Sequence, residues 1–153
     1  MNNVKDINSN IIKKFLVAEN ERDWTVWASF LHENMVFEVV GAERTIIGKN
    51  AYIRHMQSVY AELQDWHFKI LSLLADEKKV VVEFYGQGQF SGKFEGKQYD
   101  HTPLKLKSVC IFELSEQKIR KCTEYFDYQS YRQQLSSGSS SLPIMTRKLG
   151  SLQ

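Results

Sequence analysis

The hydrophobic period of this chain changes near Trp66, and this change constrains the fold more than any other sequence feature. Beyond it, apolar and polar side chains alternate with a period of two, which predicts β-strands with two different faces. Turn residues at 76–78 and 115–117 separate these segments, so neighbouring strands are expected to pair antiparallel. Four segments predict a four-stranded meander: WHFKILSLL, VVVEFYGQGQF, PLKLKSVCIFEL and IRKCTEYFDY.

Helical periodicity dominates the chain before this change. Residues 4–19 place their apolar side chains on one stripe and predict an amphipathic helix, and Asp23 is the expected N-cap of a second, shorter helix. A β-rich segment at 35–40 precedes a third predicted helix over about 49–63. The expected order is therefore α-α-β-α-β-β-β-β, an α+β fold with helices against a largely antiparallel sheet.

Glycines are concentrated in and after the second long strand segment. They are Gly86, Gly88, Gly92 and Gly96. Glycine permits bulges and sharp bends within a strand because it has no side chain to obstruct them. The sheet is therefore expected to curl rather than to lie flat.

Composition limits the classes of partner. A chain of 153 residues, 42% hydrophobic and 25% charged, suits one globular domain, expected over 1–135 with a Ser-rich flexible tail over 136–153. A net charge of +2 without a cluster of Lys and Arg argues against nucleic acid. No apolar run reaches the roughly 18 residues that cross a bilayer, and the first ten residues lack a secretory pattern. We expect no membrane contact and a cytoplasmic location.

No sequence pattern indicates a bound metal or cofactor. His, Asp and Glu never fall in a closely spaced ligand set, and Gly86-x-Gly88 lies inside a predicted strand rather than before a helix. Cys110 and Cys122 are far apart in sequence and lie in strand-like segments, where buried thiols are common. We therefore expect no metal ion, no organic cofactor and two cysteines in the core.

Three stretches carry a resemblance to a known family. Gly48-Lys49-Asn50-Ala51 is similar to Gly-Arg-Asp-Ala at the start of the family's third helix. Residues 88–96 are similar to its Gly-Thr-His-x-Gly-x-Phe-x-Gly, and residues 118–127 to its closing Gly-Lys-Ile strand that ends in Asp. Across residues 4–135 the chain thus resembles SnoaL-like polyketide cyclases of the nuclear-transport-factor-two-like and ketosteroid-isomerase-like superfamily.

This resemblance implies a cone-shaped, curved antiparallel or mixed sheet wrapped around the N-terminal helices, with a dry pocket inside. In these families such pockets serve cyclisation, isomerisation and hydrolysis through carboxylates or histidines, without metal or cofactor. A homodimer packed through the outer sheet faces is also implied. Phe90 stands where many relatives have His, and Gln117 where they have Gly, and these departures bear on the chemistry more than on the fold.

Asp127 is the first candidate acid–base residue. It corresponds to the aspartate near the end of the last strand that acts as acid and base in the polyketide cyclases that the chain resembles. In the alternation Thr123, Tyr125, Asp127 it shares a strand face with a tyrosine whose hydroxyl could orient a ligand carbonyl. The alternative interpretation is a solvent-exposed Asp that caps the helix following it.

Glu38 and His101 are two further candidates. Glu38 lies in a segment that resembles the one carrying the catalytic Asp of ketosteroid isomerases, and inside the cone it could remove a proton beside a carbonyl. Facing outward, it would only be the polar half of a period-two strand. His101 precedes a long predicted strand near a possible pocket mouth, where an imidazole can transfer protons at neutral pH, or it is a solvated loop residue.

Aromatic side chains are expected to line the pocket for a flat, apolar ligand. The candidates are Trp24, Trp27, Phe37, Tyr60, Phe84, Tyr85 and Tyr125. Two classes of function remain open on these grounds. One is a cofactor-independent isomerase, cyclase or hydrolase acting on a small hydrophobic carbonyl-bearing molecule. The other is a non-catalytic ligand-binding or dimerisation module of the same fold.

Overall fold

A computed structural model of the chain describes residues 3–137. The elements are α1 (Val4–Glu21), α2 (Trp24–Ser29), β1 (Leu31–Val39), β2 (Arg44–Ile47), α3 (Lys49–Glu62), β3 (Leu63–Ala75), β4 (Lys79–Phe94), β5 (Lys97–Ser115), β6 (Lys118–Phe126) and α4 (Tyr128–Ser137). The expected α+β class and element order are confirmed, β2 is an additional strand, and α4 is the helix expected after Asp127. Helix α4 continues through Ser137, and the remainder of the expected tail lies outside the described residues. Among residues 3–137, every helix is too short or too polar to be a transmembrane segment.

Six strands form one sheet in the order β2-β1-β6-β5-β4-β3. Strands β3 to β6 pair antiparallel in sequence order, as the expected meander requires. Strand β1 pairs in parallel with β6, which makes the sheet mixed, and β2 adds an antiparallel edge. The sequence prediction missed β2 because its four residues are mostly exposed and carry little alternation.

Helices α1 and α3 pack against one face of the sheet, and the main core lies between them. Phe15 of α1 stacks on Trp27 with ring centroids 5.0 Å apart, and meets the edge of Phe112 from β5 at 5.8 Å. The fully buried side chains Ile12 and Met35 belong to the same core. Burial of these large apolar groups is the main stabilising contribution to the fold.

A second, smaller core lies beneath α4. Leu135 is fully buried there against Phe90, Tyr99 and Leu104 of the long β4–β5 hairpin. Arg132 of α4 also pairs with Glu95 in the hairpin turn, with Nε and Oε1 3.0 Å apart. Helix α4 therefore covers the end of the sheet that α1 and α3 leave open.

Local side-chain hydrogen bonds stabilise the start of α2 and the β3–β4 turn at the positions that the sequence predicts. The Asp23 carboxylate accepts from the Val26 amide at 3.0 Å, which confirms the expected N-cap of α2. In the β3–β4 turn, Asp76 Oδ1 accepts from the amides of Lys78 and Lys79 at 2.7 and 2.6 Å. Such side-chain acceptors satisfy amides that the regular elements leave without a partner.

Two glycines of β4 allow a bulge of β3 to approach the strand closely. The register of β3 shifts between Gln64 and His67, and Asp65 adopts a left-handed backbone there, which lays Trp66 over the glycines. A Cβ on Gly86 would lie 2.3 Å from the Trp66 ring, and one on Gly88 would lie 2.7 Å from the Trp66 Cα. These two positions therefore require glycine for close packing.

Replacing Gly88 with Ala is expected to lower the free energy of unfolding by about 2 kcal/mol, because the added methyl meets backbone that cannot move aside. Gly41→Ala is the matched control, since its Cβ would find its nearest neighbours at an ordinary 3.4 Å. Urea denaturation followed by circular dichroism measures both variants. Equal stability of the two variants would contradict the close approach of β3 and β4.

Candidate functional site

The concave face of the sheet and the two long helices enclose a cavity of about 400 Å³. Cavities of this size are typical for small-molecule ligands. Its wall is mainly aromatic and aliphatic, with contributions from α1, α3, α4 and every strand of the meander. Three lining residues, Ala42, Arg44 and Glu62, are solvent-exposed, so the cavity opens to solvent beside them.

Glu124 brings a carboxyl group into this apolar wall. It lies on β6 between Cys122 and Phe126, the alternate residues that also line the cavity, and opposite Cys110 of β5. Burial and the charge of Glu19 together raise the pKa of Glu124 to about 7, although a hydrogen bond with Ser108 opposes the rise. Glu124 can therefore both donate and accept a proton near neutral pH.

Glu19 is the second carboxyl in the cavity wall, and it is almost fully buried, whereas Glu124 is partly buried. The Tyr60 hydroxyl donates to its Oε1 at 2.6 Å and the Trp27 indole donates to its Oε2 at 3.0 Å. Burial raises the pKa of Glu19, while these two donors and the nearby Arg22 guanidinium favour its ionised form. Since Glu124 has only Ser108 as such a partner, Glu19 is the better stabilised carboxylate of the pair.

Arg22 reinforces this network from behind the cavity. Its guanidinium carbon lies 3.8 Å from the centre of the Tyr60 ring, and it also donates to the backbone carbonyls of Glu19 and Trp66. Trp24 packs against Tyr60, with ring centroids 5.4 Å apart. The Tyr60 hydroxyl is thus held in one orientation toward Glu19.

Tyr52, Cys110 and Cys122 complete the polar part of the wall near Glu124. Burial raises the pKa of Tyr52 well above its usual value, so its hydroxyl remains a proton donor at neutral pH. The two cysteines are buried free thiols, and burial raises the pKa of each. Within residues 3–137 no three His, Cys, Asp or Glu side chains cluster in a way that could hold a metal ion.

His55 lines the cavity nearer its opening. Its ring lies 5.7 Å from Phe37, and burial together with the positive charge of Arg44 lowers its pKa. The imidazole is therefore neutral at pH 7, when it can offer one donor and one acceptor to a ligand.

The three sequence candidates for proton transfer lie outside the cavity and apart from one another. Asp127 follows the end of β6, and its Oδ1 accepts from the Ser130 amide at 2.9 Å. It therefore caps α4, as in the alternative interpretation of the sequence. Glu38 occupies the outer face of β1 and pairs with Lys121, Nζ to Oε2, at 3.3 Å. His101 is exposed and contacts Gln89 at 3.1 Å. Strand parity turns Glu38 outward, because Phe37 and Val39 are the residues that face the cavity.

The expected aromatic lining divides into three groups. Phe37, Tyr60 and Phe84 line the cavity. Trp24 and Trp27 lie behind it and support Tyr60 and Glu19. Tyr85 and Tyr125 occupy the opposite parity of β4 and β6 and face away from the cavity.

Sequence reasoning missed Glu124 and Glu19, and of the two only Glu19 carried a local signal. Glu19 continues the apolar stripe of Ile12, Phe15 and Leu16 on α1, where a charged residue is out of place. On β6, continuing the pairing of the β5–β6 turn, Leu114 with Ile119, would place Glu124 opposite Val109 on the outer face. The register shift between Glu113 and Leu114 places it opposite Cys110 instead, and strand alternation in the sequence does not reveal that shift.

Comparison with known proteins gives one family match and many structural matches. Residues 10–135 match the sequence profile of the family described as SnoaL-like polyketide cyclase. A search of curated proteins returned no significant match. A candidate SnoaL-like polyketide cyclase from Jannaschia sp. CCS1 superimposes with a TM-score of 0.80 at 12% identity, over 90% of this chain and 96% of that chain.

Two further solved structures share the fold at low identity. A LEH-like epoxide hydrolase from M. tuberculosis has a TM-score of 0.71 at 19% identity, over 88% of this chain and 92% of its own. A candidate ketosteroid isomerase from Kribbella flavida has a TM-score of 0.67 at 18% identity, over 97% of this chain and 90% of its own. At such identities the likeness establishes the architecture alone.

The raised pKa of Glu124 has a consequence for stability. Between its ordinary value of 4.5 and about 7, the folded protein binds more protons than the unfolded chain, so this group makes stability fall as pH rises. Glu124→Gln is expected to remove that fall and to gain up to about 3 kcal/mol over the parent protein between pH 5 and pH 8. Thermal and urea unfolding across this pH range measure the gain.

Glu113→Gln is the matched control for this measurement, because its carboxyl lies on the other face of the sheet and pairs with Lys79 at 3.8 Å. Its stability profile with pH should run parallel to that of the parent. A parallel profile for Glu124→Gln as well would show that Glu124 is ionised at pH 5 in the folded protein.

Proposed function

Because this chain belongs to the SnoaL-like polyketide cyclase family, we propose that it is a cofactor-independent acid–base enzyme of the isomerase, cyclase or hydrolase type. Its substrate is a small hydrophobic carbonyl-bearing molecule that occupies the cavity. The observation that carries the proposal is Glu124, a carboxyl with a pKa of about 7 in the wall of an apolar cavity. The family assignment from residues 48–51, 88–96 and 118–127 is confirmed by the profile match.

A carboxyl group of this kind suits proton transfer beside a carbonyl. A general base works best when its pKa is near the operating pH, because the ionised form is then populated and still basic. Ionised Glu124 would remove a proton from the carbon next to the carbonyl, and its protonated form would return that proton elsewhere on the substrate. The dry wall strengthens this interaction, since few water molecules compete for the carboxylate.

The reaction places negative charge on the carbonyl oxygen, which requires hydrogen-bond donors. Tyr52 and Ser108 present hydroxyl groups in the same wall. Glu19 acts through Glu124, since its charge raises the pKa of Glu124 and so adjusts the base to neutral pH. In this proposal Glu124 is the catalytic residue, and Glu19 with Tyr60 and Trp27 forms the positioning network.

We also propose that two copies of the chain pack through the outer faces of their sheets. That face carries Val81, Val109 and Ile111 at its centre, and two exposed apolar residues, Leu74 at 74% and Tyr125 at 44%. Glu83 and Lys107 flank Val109 on the same side of the sheet. A two-fold axis that passes between Glu83 and Lys107 would bring each of them opposite a charge of the other sign on the second copy.

The activity test compares turnover of steroid-like and polyketide-like carbonyl compounds by the parent protein and its variants. Glu124→Gln is expected to lower kcat by about a hundredfold or more with little change in ligand affinity, because the amide keeps the shape and loses the base. Glu113→Gln should keep full activity. Exchange of the substrate's acidic proton in deuterated water, followed by NMR, reports the same step directly.

Asp127→Asn and Glu38→Gln test the assignments made from the sequence. Loss of turnover in either of them, with full activity in Glu124→Gln, would contradict the role of Glu124. Ligand binding without turnover for every carbonyl compound would instead favour the non-catalytic ligand-binding module.

The expected dimer can be measured by light scattering coupled to size-exclusion chromatography at micromolar concentration. Tyr125→Glu is expected to shift the protein to monomers, because it places a charge in the centre of the apolar face. Val26 of α2 is equally exposed and lies on the helical side of the sheet, so Val26→Glu should leave the dimer intact. A monomeric parent protein would contradict the proposed interface.

A further inference from the structure

Arg44, at the opening of the cavity, has a guanidinium group that forms no ion pair within residues 3–137. Arg44 begins β2, lines the cavity and is solvent-exposed. It pairs in register with Val39, another lining residue, so its side chain leaves the strand on the cavity side. Among residues 3–137, ion pairs join other cations to carboxylates, and Arg44 takes part in none of them.

The charge of Arg44 affects a residue that lines the cavity. Its positive charge contributes to the lowered pKa of His55, which lines the same end of the cavity. His55 is neutral at pH 7 as a result and brings no second positive charge to the opening. Among residues 3–137, Arg44 is the one Lys or Arg that lines the cavity.

The sign of the charged side chains differs between the interior of the cavity and its opening. Glu19 and Glu124 make the interior acidic, so an anionic group is repelled from the buried part. Glu62 also borders the opening, but it lies two turns along α3 from His55, with its carboxyl against Gly92 of β4. The β2 side of the opening is thus positive and the interior is negative.

We propose that Arg44 binds an anionic group, a carboxylate or a sulfonate, at the solvent-facing end of the substrate. The apolar, carbonyl-bearing part of the same molecule then extends into the cavity toward Glu124. This inference rests on the proposed function for the identity of the cavity as the substrate site. A guanidinium matches a carboxylate or sulfonate through two parallel hydrogen bonds, which would hold the substrate in one direction.

Two fluorescent probes that share one ring system test this proposal without any turnover. The anionic probe is 8-anilinonaphthalene-1-sulfonate, and the neutral probe is N-phenyl-1-naphthylamine, which lacks the sulfonate. In the parent protein the two probes are expected to compete for the cavity. Arg44→Gln should weaken binding of the anionic probe about tenfold and change the neutral probe by less than about twofold.

Arg54→Gln is the matched control, since Arg54 is an exposed arginine of α3 that does not line the cavity. It should leave both affinities unchanged. Arg44→Lys should retain only part of the preference for the anionic probe, because an ammonium group keeps the charge and cannot make two parallel hydrogen bonds. Equal affinity of Arg44→Gln and the parent for the anionic probe would overturn the proposal. Failure of the probes to compete, or of both to bind the parent, would overturn it as well.

The same titrations on Glu124→Gln separate this proposal from the proposed function. Probe binding needs no proton transfer, so the dependence on Arg44 should persist in that variant. Full turnover by Glu124→Gln, together with loss of anionic probe binding in Arg44→Gln, would contradict the catalytic role of Glu124 and support the role of Arg44.

Discussion

The fold depends on how the concave face of one long sheet is covered. Helices α1 and α3 bury Phe15, Trp27 and Phe112 against it, and α4 covers the far end through Leu135. Asn20 links the end of α1 to β3 through two hydrogen bonds. Its Nδ2 donates to the Phe68 carbonyl at 2.7 Å, and its Oδ1 accepts from the Phe68 amide at 3.0 Å. The helices hold the sheet at both ends without filling its middle, and the cavity is the space that remains.

The cavity gives its few polar groups their chemical properties. In water a glutamate is ionised at neutral pH, but in a dry wall the charged form loses its hydration. Glu19 recovers part of that loss through Tyr60, Trp27 and Arg22, whereas Glu124 has Ser108 and a neighbouring negative charge. Two residues of the same type therefore acquire different roles: Glu19 is a carboxyl held by its donors, and Glu124 is a carboxyl with a pKa of about 7.

The strands that were easiest to predict carry the site that was hardest to predict. Alternation in β3 to β6 was sufficient for the antiparallel meander, because each strand is long and one face is buried. Which set of alternate residues faces inward depends on the register between strands. The sequence of β6 alone led to the prediction that the face of Tyr125 lines the pocket. The register of β5 with β6 instead turns Glu124 inward and leaves Asp127 to cap α4. Parallel pairing of β1 with β6 likewise has no local sequence signal, because it joins segments about 90 residues apart.

Local periodicity, turn chemistry and motif spacing were enough to predict the α+β class, the order of the helices and long strands, the N-cap at Asp23 and the family. The position of Glu19 and Glu124 in one cavity with Tyr60, and of Arg44 at its opening, could be seen only in the folded chain. Burial and charge proximity join residues from α1, α3, β2 and β6, which are distant in the chain. The altered pKa values exist only when the fold removes water from these groups.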